Sequence, residues 1–523
     1  MRRTNGNRPH SIRRKAKPVN GPLEKLGETE KQPLGASLPE TTRRLKEALG
    51  NSPDVVIRNL ASRGPKGADL VVCYLDGLVD QNMLGKLIGD IEDDAPETWT
   101  DPSGELFSTW ITAGSVQQVG TLDKMLAGIL SGAAAVLVDG IEGALIVSIG
   151  GGARRSVEEP SSQTVIRGPK EGFTEDLSTN ISLIRRKIRS PHLRFESRTI
   201  GSYTQTKIAV AHIQGIVNPV VVDEVLKRLD AIDTDSILDS GYIEEFIQDR
   251  SFTPFPTILN TERPDAVAGS LLEGQVTILV DGSPFVLICP VTFFKFFLSS
   301  EDYYQRYDIS SFLRNIRLFS FLVALLLPSF YIAVTTFHPE MLPTTMLISL
   351  AAQREGTPLP ALLEAMLMEI TFEVIREAGV RMPRVVGPAI SIVGALVLGQ
   401  AAVQAGLVSA AMVIIVSFTA IANFVIPTFG MSGAVRLIRF GLMLLAGSFG
   451  LFGIISGLIP LLMHLVSLSS FGVPYFLPLA PLSFRNMKDV FIRVPWPKMN
   501  TRPSYIELEN KTRQGSGTDE QGR

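Results

Sequence analysis

The chain has 523 residues, 45% of them hydrophobic and 20% charged, with a net charge of −2 and a mean hydropathy of +0.21. Near-neutrality excludes nucleic acid as the main partner, because phosphate binding needs a basic surface. Two cysteines, Cys73 and Cys289, exclude a disulfide framework. No zinc-spaced Cys/His set, P-loop, dinucleotide fingerprint or nucleophile elbow gives an enzyme or a cofactor a foothold.

Residues 1–54 open with Arg2, Arg3, Arg8, Arg13, Arg14, Lys15 and Lys17, with no acid before Glu24. No apolar core follows, so this is not a signal peptide but a basic disordered tail. It is either a solvated arm or one drawn to anionic headgroups of membrane lipid.

Residues 55–283 have the composition of a soluble α/β region with an internal repeat. DLVVCYLDGLVD (69–80) matches KIAVAHIQGIVN (207–218), each an apolar strand, a glycine turn and a helical stretch. DKMLAGILSGAAAVLVDG (123–140) aligns without a gap to DAVAGSLLEGQVTILVDG (265–282). Two related α/β subdomains are predicted, at 55–155 and 196–283, with Val136–Val138 and Ile278–Val280 as equivalent strands. Asp139 and Asp281 read as tight-turn residues rather than metal ligands, since Asp-Gly is a standard turn pair. The stretch 156–195 reads as a polar linker. Its cluster Arg185, Arg186, Lys187 and Arg189 reads as a solvated face, with a membrane surface or a partner as the sharper alternative.

From 284 to 484 the chain changes character. Between Val385 and Phe484 there is no Asp or Glu, and the only basic side chains are Arg436, Arg439 and His464. Such a stretch reads as membrane-spanning. The aromatic segment 284–297 reads as interfacial or partly inserted. Spans are predicted at 318–337, with Pro328 as a point of kinking, and at 385–407, 408–427 and 440–467. A Pro-rich apolar end follows the last span, which is long enough for a hairpin broken near Pro460. Residues 485–523 form a tail. The arginines flanking these spans place the N-terminal region and this tail on the cytoplasmic side.

The segment 357–378, TPLPALLEAMLMEITFEVIREA, is predicted to be a helix, with Thr357 as N-cap and Gly379 as the stop. At 100° per residue Glu369, Glu373, Arg376 and Glu377 share one face, and Glu364 lies on the opposite, apolar side. Carboxylates at membrane depth are costly. The segment is therefore either an interfacial or re-entrant helix with a wet face, or one wall of a water-filled pathway. In the second reading Glu369, Glu373 and Glu377 line an ion path, while Glu364 packs or gates with Arg354 as its candidate partner.

This segment also carries a resemblance. FHPEMLPTTMLISLAAQREGTPLPALLEAMLMEITFEVIREAGVRMPR (337–384), SFTPFPTILNTERPD (251–265, containing Pro254, Phe255 and Pro256), VDGSPFVLICPVTFF, SSEDYY and FGVPYFLPLAPLS together resemble the A subunit of GerA-type spore germination receptors. The likeness implies an integral protein of the spore inner membrane working beside B- and C-type subunits. It also implies a homo-oligomeric ring that conducts ions or gates their passage when a nutrient binds. The alternatives are a secondary transporter of a small nutrient, the A-subunit-like paralogue associated with dipicolinic acid release, and a scaffold that only holds a receptor together.

Overall fold

The computed structural model describes residues 33–50, 52–61, 69–93, 111–151, 159–160, 163, 165–381, 399–487, 489–502, 510 and 512–513. The basic stretch before Pro33 and most of the span expected at 385–407 lie outside them.

The first α/β unit runs α1 (Leu38–Leu49), β1 (Val55–Ala61), β2 (Asp69–Leu75), α2 (Gln81–Asp93), β3 (Ser115–Val119), α3 (Leu122–Leu130), β4 (Ala134–Val138), β5 (Ala144–Ser148). The second runs α4 (Leu177–Lys187), β6 (Leu193–Ile200), β7 (Thr206–Ile213), α5 (Pro219–Asp230), α6 (Ser240–Ile247), β8 (Leu259–Thr261), α7 (Pro264–Leu272), β9 (Val276–Val280), β10 (Val286–Cys289). Both sheets are antiparallel throughout and share one strand order, β1-β2-β4-β5-β3 and β6-β7-β9-β10-β8. The register repeats as well: Val72 faces Val136 in one sheet, and Val210 faces Ile278 in the other. The two units are one fold used twice.

The repeated Asp-Gly turns have a physical task. Asp139 accepts a hydrogen bond from the Leu38 backbone N–H at 3.2 Å, and Asp281 accepts one from Leu177 at 3.2 Å. Each carboxylate thus satisfies a free N–H in the first turn of its unit's first helix. Gly140 and Gly282 close the turns at φ +82° and +85°, a conformation that a side chain would strain.

Three boundaries differ from those expected. Residues 1–54, expected as a tail, contain α1, whose Leu38, Thr41, Leu45 and Leu49 are buried on one face. The expected linker 156–195 contains α4 and the start of β6. The aromatic stretch from 284, expected at the membrane surface, begins with β10, the last strand of the second sheet, and continues into a buried turn at Phe293–Phe297. In each case an element short of apolar residues, or unusually rich in them, hid its place in the repeat.

The linker's basic cluster is likewise not a solvated face. Arg185 is buried, and its guanidinium donates to both Asp54 oxygens at 2.7 and 3.1 Å. This bidentate pair joins the units, and the Phe195 N–H adds a bond to the Ser52 hydroxyl at 3.2 Å. Within the second unit, β7 buries His212, whose Nδ1 has no hydrogen-bond partner among the described residues. Burial, with Arg194 nearby, pushes its pKa down to about 4. The unfolded chain binds this proton more readily, so His212 costs nothing above pH 6.5 and destabilises the fold progressively between 6.5 and 4. The expected slope is about 1.4 kcal/mol per pH unit. Thermal melting of the detergent-solubilised protein across that window should show it, and His212→Gln should flatten it.

The C-terminal region is helical: α8 (Tyr307–Phe337), α9 (Thr344–Glu355), α10 (Ala361–Arg381), α11 (Gly399–Gln404), α12 (Ala410–Phe424), α13 (Phe429–Ser467). Two of these, α8 and α13, are long and apolar enough to cross a membrane. Around them the bundle is apolar outward, with Leu363, Leu367, Ile370 and Val374 of α10 and Ile414, Phe418 and Ile421 of α12 exposed. The region fits a membrane domain. α8 continues through Pro328, which is buried inside the bundle.

α13 is two helices joined at Gly450, whose φ of 62° and ψ of −141° are open only to glycine. A methyl on Gly453 would collide with the Leu445 carbonyl, and one on Gly457 would lie 2.8 Å from Leu442. Residues so far apart meet only if the chain reverses. The arms, 429–449 and 451–467, are about 30 and 25 Å long at 1.5 Å per residue. The break is therefore at Gly450 and not near Pro460, which sits exposed within the second arm. Gly450 packs against Phe337 and His338, so the far end of α8 and the hairpin tip lie together, away from the α/β units.

Candidate functional site

α10 starts near the hairpin tip, where Leu362 sits against Gly447, and runs back towards the α/β units between α8, α12 and α13. It packs against these three helices of the bundle. Its carboxylates point into the seam and form a ladder. Glu364 is fully buried and accepts from the Ser409 backbone N–H at 2.5 Å and the Ser409 hydroxyl at 2.6 Å. Ser409 is the N-cap of α12, so this carboxylate sits where the helix dipole and free N–H groups favour negative charge. The partner expected for Glu364 was Arg354; among the described residues the structure supplies Ser409 instead.

One and a half turns on, Glu369 is buried against Arg439 of α13, Oε2 to Nη2 2.7 Å. The next rung is Glu373, which meets Arg436 at 2.9 Å, Arg376 at 2.7 Å and Arg439 at 3.7 Å. Because α10 and the first arm of α13 run in opposite directions, Glu369 and Glu373 oppose Arg439 and Arg436 in reversed order. Glu377 leaves the seam and pairs with Arg381 in an exposed i,i+4 bridge at 2.7 Å. The polar face read from the sequence is thus split. Glu369, Glu373 and Arg376 face into the bundle, Glu377 faces out, and three arginines meet two glutamates.

Sequence reasoning missed the opposite side of this ladder. In the sequence Arg436 and Arg439 read only as topology signals. Their isolation in a hundred-residue stretch without acids was the available clue, since cations at membrane depth are retained for a partner.

A second polar cluster ties the helices to the second α/β unit. Asp302 of the SSEDYY segment is buried and accepts from Arg314 at 3.1 Å and Arg317 at 2.8 Å. Arg314 also reaches Asp489 at 3.0 Å, and the Tyr303 hydroxyl donates to Asp489 at 2.8 Å. Burial, and then the Asp489 charge, hold the Tyr303 hydroxyl well above its ordinary pKa. The Pro254-Phe255-Pro256 motif lies at the same junction. Phe255 stacks edge-on to Phe293 at 6.2 Å, and the Tyr475 hydroxyl donates to the Pro256 carbonyl at 2.7 Å. Beside it, Thr253 Oγ1 lies 2.9 Å from His464 Nε2 at the end of α13. The hairpin's second arm is therefore in direct contact with the second α/β unit.

Residues 43–505 match the family model described as Bacillus/Clostridium GerA spore germination protein. The chain belongs to the GerA family of spore germination proteins. It is 49% identical over 484 residues, 92% of this chain and 89% of the relative, to spore germination protein KA of Bacillus subtilis (strain 168). It is 39% identical over 485 residues, covering 92% and 97%, to spore germination protein GerLA of Bacillus cereus. Among solved structures, the N-terminal domain of the A subunit of the Bacillus megaterium spore germinant receptor GerK3 is similar at 38% identity, TM-score 0.41, covering 50% of this chain and 98% of that one. Membership in the GerA family gives this chain a role in spore germination.

Proposed function

We propose that this GerA-family chain is the A subunit of a nutrient germinant receptor, and that its helical domain forms or gates an ion path whose closed state is held by the carboxylate–arginine ladder. The observation that carries the reading is the pairing of Glu369 and Glu373 with Arg439 and Arg436 between two helices of the bundle. Ion pairs at that depth are expensive and cost more than apolar packing would, so a purely structural seam gains little from them. With Arg376, Arg436 and Arg439 against Glu369 and Glu373, these two carboxylates are held by arginine in the closed ladder. Passage requires the ladder to open, or a lumen shared by several copies in a ring. The B- and C-type subunits are the partners in this reading, the spore inner membrane is its location, and the α/β units face the spore core, on the side marked by the flanking arginines.

Opening would hydrate Glu369 and Glu373, which replace part of a cation's lost water shell. The test is potassium release from spores carrying Glu369→Gln with Glu373→Gln, measured together with subunit abundance. Release per unit of accumulated subunit should fall at least tenfold. Normal release would remove the ladder from the ion path and leave it as packing.

A further inference from the structure

A cavity of about 440 Å³ lies between the second α/β unit and the helices, away from the ladder. One wall comes from α7 and its flanks, with Arg263, Asp265 and Glu273. The facing wall is Phe424 and Ile426, at the end of α12. Phe424 is 68% exposed on the outer side of the bundle, so the cavity's apolar wall continues onto the lipid-facing surface. A smaller cavity of about 90 Å³ adjoins it and shares Glu273, Lys295, Tyr303 and Arg513.

The charges in this space do not cancel. Asp265 is saturated: Arg263 donates to both its oxygens at 3.1 and 2.7 Å, and the Tyr304 hydroxyl donates at 2.8 Å. Glu273 is matched by Lys295 at 2.8 Å. Arg513 shares this carboxylate with Lys295. Its Nη2 lies 3.7 Å from Glu273 Oε1, the oxygen that Lys295 does not hold, and its guanidinium lies 5.4 Å from the Trp496 ring centre. In the adjoining cavity Arg502 donates to the carbonyls of Leu272, Asn510 and Thr512, Lys498 is exposed, and Asp489 is engaged by Arg314 and Tyr303. Among the described residues, five cations (Arg263, Lys295, Lys498, Arg502 and Arg513) line the two cavities against three carboxylates. With Arg263 matched by Asp265, Lys295 and Arg513 on the single Glu273 carboxylate leave a net positive charge in the larger cavity.

We propose that this junction cavity binds an oxyanion attached to an apolar body, with Arg513 and Lys295 on the anion and Phe424 and Ile426 on the body. The chemistry is shared by the phosphate of an anionic lipid headgroup and by a free phosphate or small carboxylate. The continuity with the lipid-facing surface favours the lipid. The proposal does not depend on the ion-path reading. Bound there, the anion would bridge the second α/β unit to the helices and bias the junction through which Asp302, Arg314 and Asp489 connect them.

Trp496 lines the cavity and serves as the reporter. The full-length protein, purified in a neutral detergent with Trp99→Phe and Trp110→Phe so that Trp496 is the sole indole, is titrated with three probes. These are dioctanoyl phosphatidylglycerol, dioctanoyl phosphatidylcholine and inorganic phosphate. Saturable change in Trp496 emission with phosphatidylglycerol, at least tenfold tighter than with phosphatidylcholine, is expected. Arg513→Gln leaves the Lys295–Glu273 bond in place and should weaken binding about tenfold with an unchanged melting temperature. Phosphate binding as tightly as the anionic lipid would assign the site to a free oxyanion. Equal binding of the zwitterionic lipid, or no change with any probe, overturns the proposal.

Discussion

Replacing Arg439 by leucine should cut the amount of this subunit in the membrane several-fold, and replacing Glu369 by leucine as well should restore it. Glu369 and Arg439 are both almost fully buried and 2.7 Å apart. Removing one partner strands the other charge in the bundle, at a cost of about 3–5 kcal/mol, whereas removing both can be neutral or stabilising. The coupling between the two substitutions should therefore be large and of the sign that favours the double mutant. Abundance by immunoblot, with wild type and both singles alongside, measures it. The double mutant then separates packing from gating. If it accumulates normally and still fails to release potassium, the pair acts in the ion path. If it accumulates and releases normally, the ladder only holds the bundle together.

The same pair shows what a sequence can and cannot reveal about this protein. The face shared by Glu369 and Glu373 is legible because helical geometry fixes which side chains align. Which way that face turns is not, because it depends on Arg436 and Arg439, sixty or more positions later and on another helix. The α/β repeat is legible where its two copies kept the same apolar strand and Leu-Val-Asp-Gly turn. It fades at α1 and α4, whose surface arginines and lysines make them resemble a tail and a linker. Arg185 illustrates the limit: a cation in a basic run reads as solvated by default, and only the fold brings Asp54 to it. The motif Pro254-Phe255-Pro256 was visible as a string, but its position against His464 and Tyr475 depends on a return of the chain two hundred residues later.

The hairpin gives the last expectation. Proline is the usual reason to break a long apolar helix, yet Pro460 is tolerated in the second arm. The actual signal is the glycine series Gly447, Gly450, Gly453 and Gly457, spaced three and four apart in the sequence on both sides of the break. Gly450 supplies a backbone conformation closed to other residues. Gly453 and Gly457 let the returning arm press against Leu445 and Leu442. Small residues are what allow helices to approach closely where no water drives them together. Gly453→Leu should therefore abolish the close contact, because its side chain meets backbone that has nowhere to move. The expected result is loss of most of the accumulated protein. In the remainder, the segment after Ser467 should lie on the opposite side of the membrane from wild type. Accessibility of a cysteine placed at Ser469 to an impermeant reagent in spheroplasts reads that change of side. Gly441→Leu is the matched control, since Gly441 is exposed with nothing within 4 Å of a methyl there. It should leave both abundance and topology as they are, and gain about 1 kcal/mol of helix propensity. If Gly453→Leu behaved like Gly441→Leu, the two arms would not be packed as a tight hairpin and the chain's course beyond Gly450 would have to be redrawn.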